Sequence, residues 1–113
     1  MMKQTPSAIS PAPAEPGPDV GQLADIFHLL GDMSRLKLLL ACLEQSWPAT
    51  ELAAHCGVSP QAASHHLRLL KAARLLRAER QGRQIVYTAA DEHVRHMLKD
   101  MIEHLAEEKA GQP

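Results

Sequence analysis

Apolar residues recur at helical spacing through most of this chain, and the interruptions mark where it changes direction. In GQLADIFHLLGD (21–32), Leu23, Ile26, Phe27 and Leu30 share a face, and Gly31 stops the run. SRLKLLLACLEQ (34–45) is apolar through its middle, which predicts a second helix central in the core, broken by Trp47-Pro48. TELAAHC (50–56) predicts a short helix with Thr50 as N-cap and Gly57 as its stop. In the following GVSP, Ser59 suits a cap and Pro60 a first helical position, opening a fourth helix that runs to about residue 73.

Two helices joined by a short glycine-containing turn form a helix-turn-helix pattern. Projected at ~100° per residue, the second of them places Ala63, Leu67 and Leu70 on one side and Gln61, Ser64, His65 and Arg68 on the other. The polar side carries residue types that read base edges and phosphates. His66 falls among the apolar positions and reads as packed. Residues 75–89 then predict two short strands joined around Gln81-Gly82, with Arg80 and Arg83 beside the tip. A last helix spans 91 to about 108. Four helices, a hairpin and one more helix make a mainly α fold with a small β-hairpin, a winged helix-turn-helix.

Charge refines this picture. The net charge of the 113 residues is only −1, which by itself does not point to nucleic acid. Between residues 60 and 88, however, Arg68, Lys71, Arg74, Arg77, Arg80 and Arg83 face a single acid, Glu79. That local excess is an electrostatic footprint for phosphate, although a merely solvated basic face has the same composition. The first 18 residues hold Pro6, Pro11, Pro13, Pro16 and Pro18, so 1–19 reads as a disordered leader. It lacks the apolar stretch of a secretory signal, and nothing later is long enough to span a membrane, so a cytoplasmic location is expected. Cys42 and Cys56 form no CxxC pair; each sits in an apolar helical pattern, as a small buried side chain does.

The closing helix poses a chemical puzzle. Asp91 and His93 stand at its start, His104 and Glu107 near its end. His93 and His104 are three turns apart and share a face, but at ~1.5 Å per residue they lie ~16 Å apart. One chain cannot bring them to one ion. As ordinary surface charges the four residues need no partner; as ligands they need a second helix.

The stretch ELAAHCGVSPQAASHHLRLLKAARLLRAERQGRQIVY resembles the core of the ArsR/SmtB family of metal-responsive bacterial repressors, through Glu51-Leu52, Gly57-Val58-Ser59, Ser64, His66-Leu67, Leu70, Ala73, Leu75, Arg80-Gln81-Gly82-Arg83 and Tyr87. The resemblance covers roughly residues 20–108, leaving a flexible tail at 109–113. It implies a homodimer through the first and last helices, with the terminal helices of two subunits antiparallel. Asp91 and His93 of one subunit would then meet His104 and Glu107 of the other, similar to the intersubunit site of the family's zinc sensors. Zinc accepts such an N/O set. Cobalt, nickel or cadmium are alternatives, and His96, one turn after His93, is a further candidate ligand. The family's cysteine site near residues 48–50 is absent, since Pro48, Ala49 and Thr50 stand there.

The implied function is a repressor that binds operator DNA as a metal-free dimer and is released by zinc. Gln61, Ser64 and His65 would touch bases, and Arg68, Arg80 and Arg83 would touch phosphate. A second hypothesis keeps the winged helix but makes Cys42 and Cys56 a redox or persulfide switch. A hydrolase is disfavoured: HExxH and GxSxG are missing, and the candidate ligands are all committed, leaving no open position for water. No small-molecule substrate is implied.

Overall fold

The computed structural model describes the backbone of residues 17–110 and the side chains of 17–107. Most of the expected leader and the last residues of the expected tail therefore lie outside the described residues. The order is α1 (Val20–Leu30), α2 (Met33–Ala41), β1 (Trp47–Pro48), α3 (Ala49–Cys56), α4 (Pro60–Ala72), β2 (Leu76–Gln81), β3 (Gln84–Ala89) and α5 (Glu92–Ala110). The three strands form one antiparallel sheet in the order β1-β3-β2. This is a winged helix-turn-helix.

Four helices begin on a side-chain oxygen that accepts the backbone N–H three residues on. Asp19 accepts from Gln22 at 3.0 Å, Asp32 from Arg35 at 2.9 Å, Ser59 from Ala62 at 3.2 Å and Asp91 from Val94 at 3.0 Å. Each such cap stabilises its helix by about 1 kcal/mol. The core gathers Leu38 and Leu39 of α2, Leu52 of α3, Leu67 and Leu70 of α4, Leu75 and Leu76 at the root of the hairpin, and Val94 and Leu98 of α5. Burying each leucine contributes roughly 1.5–3 kcal/mol, so α2, with two fully buried leucines, is the spine of the domain.

Four sequence expectations need correction. The second helix ends at Ala41 rather than residue 45, because the chain turns there and offers its carbonyls to other elements. Ala41 O accepts Trp47 Nε1 at 2.9 Å, Cys42 O accepts Ala89 N at 3.1 Å, and Leu43 O accepts Arg95 Nε at 2.8 Å. Trp47-Pro48 does more than break a helix: it pairs with Val86 and Tyr87 as a third strand. Thr50 is not the N-cap of α3, since that strand brings the chain into the helix earlier, with Pro48 at the cap position and no side-chain cap bond. The hairpin loop is Gly82-Arg83, one residue later than expected, between the paired Gln81 and Gln84. Gly82 has φ +64°, which a two-residue loop with glycine first requires.

Helices α3 and α4 end alike. After α3, Gly57 (φ +69°) donates to Ala54 O and Val58 N to Ala53 O; after α4, Arg74 (φ +61°) donates to Lys71 O and Leu75 N to Leu70 O. Both are Schellman closures, but the second puts an arginine where glycine is the usual residue. A left-handed conformation costs an L-residue about 1–2 kcal/mol.

The cysteines differ from one another. Cys42 is fully buried in the core, and burial pushes its thiol up from an ordinary 9.0 to about 12. Cys56, expected to be buried, is only partly so; its Sγ lies 3.6 Å from Lys37 O, and burial again raises its pKa. Neither has the lowered pKa that a thiol switch uses.

Two outcomes follow from these local features. Arg74→Gly removes the backbone strain but adds unfolded-state entropy, and should stabilise the protein by up to about 1 kcal/mol, read from the urea midpoint at fixed protein concentration. The Cys42 thiol is favoured in its neutral form by folding, so its contribution is complete below pH 9.0 and is lost as pH rises towards about 12. Native protein at pH 8 should therefore alkylate at Cys56 well before Cys42, and Cys42→Ala should flatten the alkaline loss of stability by at most ~1.4 kcal/mol per pH unit.

Candidate nucleic-acid interface and metal centre

The two faces of α4 separate as their periodicity requires. Ala63, Leu67 and Leu70 are 2%, 1% and 0% exposed, whereas Gln61, Ser64, His65 and Arg68 are all exposed. His66 is half-buried, with Nδ1 3.5 Å from the Arg35 guanidinium. Arg35 also donates through Nε to Leu29 O at 2.9 Å, so one side chain joins the end of α1, the start of α2 and α4. Asp32 sits in the same cluster; the bond from Arg35 N and the Arg35 charge hold its carboxyl below the usual range. No local sequence signal announces this joint, because Arg35 and His66 are 31 residues apart.

The wing lies beside α4. A groove of about 300 Å³ between them is lined by Thr50, Ser64, Leu67, Ile85 and Tyr87 among others. Thr50, whose capping role fails, thus borders the groove together with Ser64. At the tip Arg80 and Arg83 are exposed, with Arg80 reaching Gly82 O at 3.4 Å. Arg68, Lys71, Arg74 and Arg77 are exposed as well, so none of the basic run is consumed by the core. Arg77 leans away from the tip, towards Ala90 O at 3.5 Å.

On α5 the expected ligands occupy the solvent side. His93 is 98% exposed at the side chain, and its Nδ1 lies 3.7 Å from Asp91 Oδ1. His104 and Glu107 are exposed on the last turns. Among the described residues no single-chain group of three or more His, Cys, Asp or Glu gathers to hold an ion. Asp91 and His93 are brought together; His104 and Glu107 stay at the other end. His96 pairs with Glu92 at 3.7 Å. Asp91 also caps α5, and a carboxylate has acceptor capacity beyond one capping bond. The donor set thus fits a borderline divalent ion only when two copies of the helix meet.

The same helix leaves apolar surface uncovered. Val94 and Leu98 pack on the core, but Met101, Ile102 and Leu105 are 54%, 49% and 59% exposed, as are Leu23 and Phe27 of α1. The start of α5 is also wired to the end of α4, since Ala90 N donates to Leu75 O at 3.1 Å, one residue beyond the strained Arg74. Among the described residues no helix is long and apolar enough to cross a membrane.

Comparison with known proteins gives this arrangement its context. Residues 30–79 match the family model described as a helix-turn-helix domain. The chain is 41% identical over 86 residues to a transcriptional repressor SmtB homolog of Synechocystis sp., covering 76% of this chain and 65% of that protein, just under two thirds of its length. It is 37% identical over 83 residues to the transcriptional regulator NmtR of Mycobacterium tuberculosis, covering 74% of this chain and 69% of that one. Among solved structures, a homodimeric winged helix-turn-helix DNA-binding domain from Mycobacterium bovis, described as a possible ArsR-family regulator, superposes with a TM-score of 0.70. That domain is 26% identical, with 80% of this chain and 83% of that one covered. With this fold and these relatives, the chain belongs to the ArsR/SmtB family of winged helix-turn-helix transcriptional regulators.

Proposed function

We propose that the protein is a metal-sensing repressor that works as a homodimer paired through α1 and α5. It binds operator DNA without metal and lets go when zinc, or cobalt, nickel or cadmium in its place, occupies the terminal helices. A role on operator DNA sets it in the cytoplasm. One observation carries the reading: a solvent-facing Asp91–His93 pair and a same-face His104 and Glu107 stand on a helix whose apolar residues have no cover in the monomer. An exposed apolar stripe of this kind marks a protein interface. Antiparallel pairing of two α5 helices would bury it and bring the two half-sites together.

Zinc would be held by Asp91 and His93 of one subunit with His104 and Glu107 of the partner subunit, and would supply a fixed link between the two helices. The chain's own residues do the rest. Gln61, Ser64 and His65 project from α4 for base edges, while Arg68, Arg80 and Arg83 neutralise phosphate. The Ala90–Leu75 hydrogen bond joins the start of α5 to the end of α4, so a change in how two α5 helices cross alters the separation of two recognition helices. Half-sites about one turn of DNA apart, ~34 Å, tolerate little such change. Moving the dimer from 99:1 in favour of DNA to 1:99 needs about 5.5 kcal/mol, which two sites per dimer can supply at ~1–3 kcal/mol each.

The test is a titration of the purified dimer with zinc in the presence of operator DNA. One ion per subunit should bind, DNA affinity should fall, and a His93→Ala/His104→Ala protein should lose both effects while still binding DNA. Zinc binding with unchanged DNA affinity, or no zinc binding at all, would refute the sensor. For the interface, Arg68→Ala and Arg83→Ala should each lower the slope of log affinity against log salt by about 1 per subunit, with little change in sequence preference.

A further inference from the structure

We propose that Arg95 is a positioning residue for the terminal-helix site, rigidly joining α5 to the end of α2 so that movement at the metal site reaches the DNA-binding body; this rests on the reading above. Arg95 is set two residues after His93, a rotation of ~200° about the helix. His93 therefore faces solvent while Arg95 faces the domain. The Arg95 side chain is 23% exposed. Its Nε donates to Leu43 O at 2.8 Å across 52 residues, and its Nη1 donates to Glu92 Oε2 at 2.9 Å. The guanidinium fork thus holds one acceptor from the last turn beyond α2 and one from the first turn of α5. A lysine has no planar fork and could not hold both in that geometry.

Other contacts keep the fold without it. Val94 and Leu98 remain buried, Ala89 N stays on Cys42 O, and Lys99 Nζ meets Glu44 Oε2 at 2.7 Å one turn along. The Lys99–Glu44 pair is exposed on both sides, where such pairs contribute little. Arg95 is the contact that stops the first turn of α5, with Asp91 and His93 on it, from pivoting against α2. A lever that pivots at its root transmits nothing, so the expected effect of losing Arg95 is on coupling rather than on either binding event.

The experiment compares wild type, Arg95→Met, Arg95→Lys and Glu44→Gln in the intact dimer. It measures zinc stoichiometry, metal-free operator affinity, and the ratio of operator affinities without and with zinc. In Arg95→Met the first two should stay within about threefold of wild type, while the ratio falls towards one by at least about fivefold, the low end of the usual 5–150-fold coupling per site. Arg95→Lys should lie between, and Glu44→Gln should match wild type. A purely structural role would lower the urea midpoint and leave the ratio alone, and that result overturns the proposal while the metal switch stands. A wild-type ratio of one with zinc bound overturns both. Should Arg95→Met fail to dimerise, Arg95→Lys decides: a reduced ratio supports the proposal and an unchanged one refutes it.

Discussion

Every α-helix ends in carbonyls that its own backbone cannot satisfy. At the end of α2 three consecutive ones find partners from three different elements: the Trp47 indole from β1, the Ala89 amide from β3 and the Arg95 guanidinium from α5. Because Leu38 and Leu39 anchor α2 in the core, whatever binds its end is placed relative to the whole domain. At its other end, Arg35 reaches the last turn of α1 and His66 of the recognition helix. The sheet, the wing and the root of the terminal helix are therefore referenced to one buried segment. Each neutral hydrogen bond contributes only about 1 kcal/mol, and the charged ones somewhat more, but together they set directions that apolar packing leaves loose.

That frame explains how one small domain can serve two surfaces. The exposed side of α4 and the wing tip carry the polar and basic side chains proposed to read bases and bind phosphate, none of them lost to the core. The outer face of α5 carries imidazoles and carboxylates, and its far half uncovered apolar residues. Between the surfaces lie short hydrogen-bonded joints, Ala90 to Leu75 and Arg95 to Leu43, rather than a long flexible linker. A left-handed Arg74 sits one residue before the first of these joints.

The cysteines show how environment overrules residue type. Two thiols in a chain of this size invite a redox reading, yet Cys42 is a core side chain whose ionisation is opposed by burial, and Cys56 is raised in the same direction. The histidines diverge likewise: His66 lies half-buried against an arginine, while His93 stands in solvent beside a carboxylate.

The order of elements was legible from the chain itself, because it rests on near-neighbour physics. Leucine spacing, Ser59-Pro60, Gly57 and Gly82 act within a turn or two, and the structure has the helices and hairpin in the indicated order, with the second helix shorter and the hairpin loop one residue later. The split of α4 into a leucine face and a Gln61-Ser64-His65-Arg68 face was legible for the same reason. Tertiary structure alone decided that Trp47-Pro48 is a strand, that α2 stops at Ala41 and that Thr50 borders a groove instead of capping a helix. It also decided that Arg35 and Arg95 are joints. The strand and both arginine joints depend on partners 31 to 52 residues away, and no local periodicity encodes which distant carbonyl a guanidinium will find.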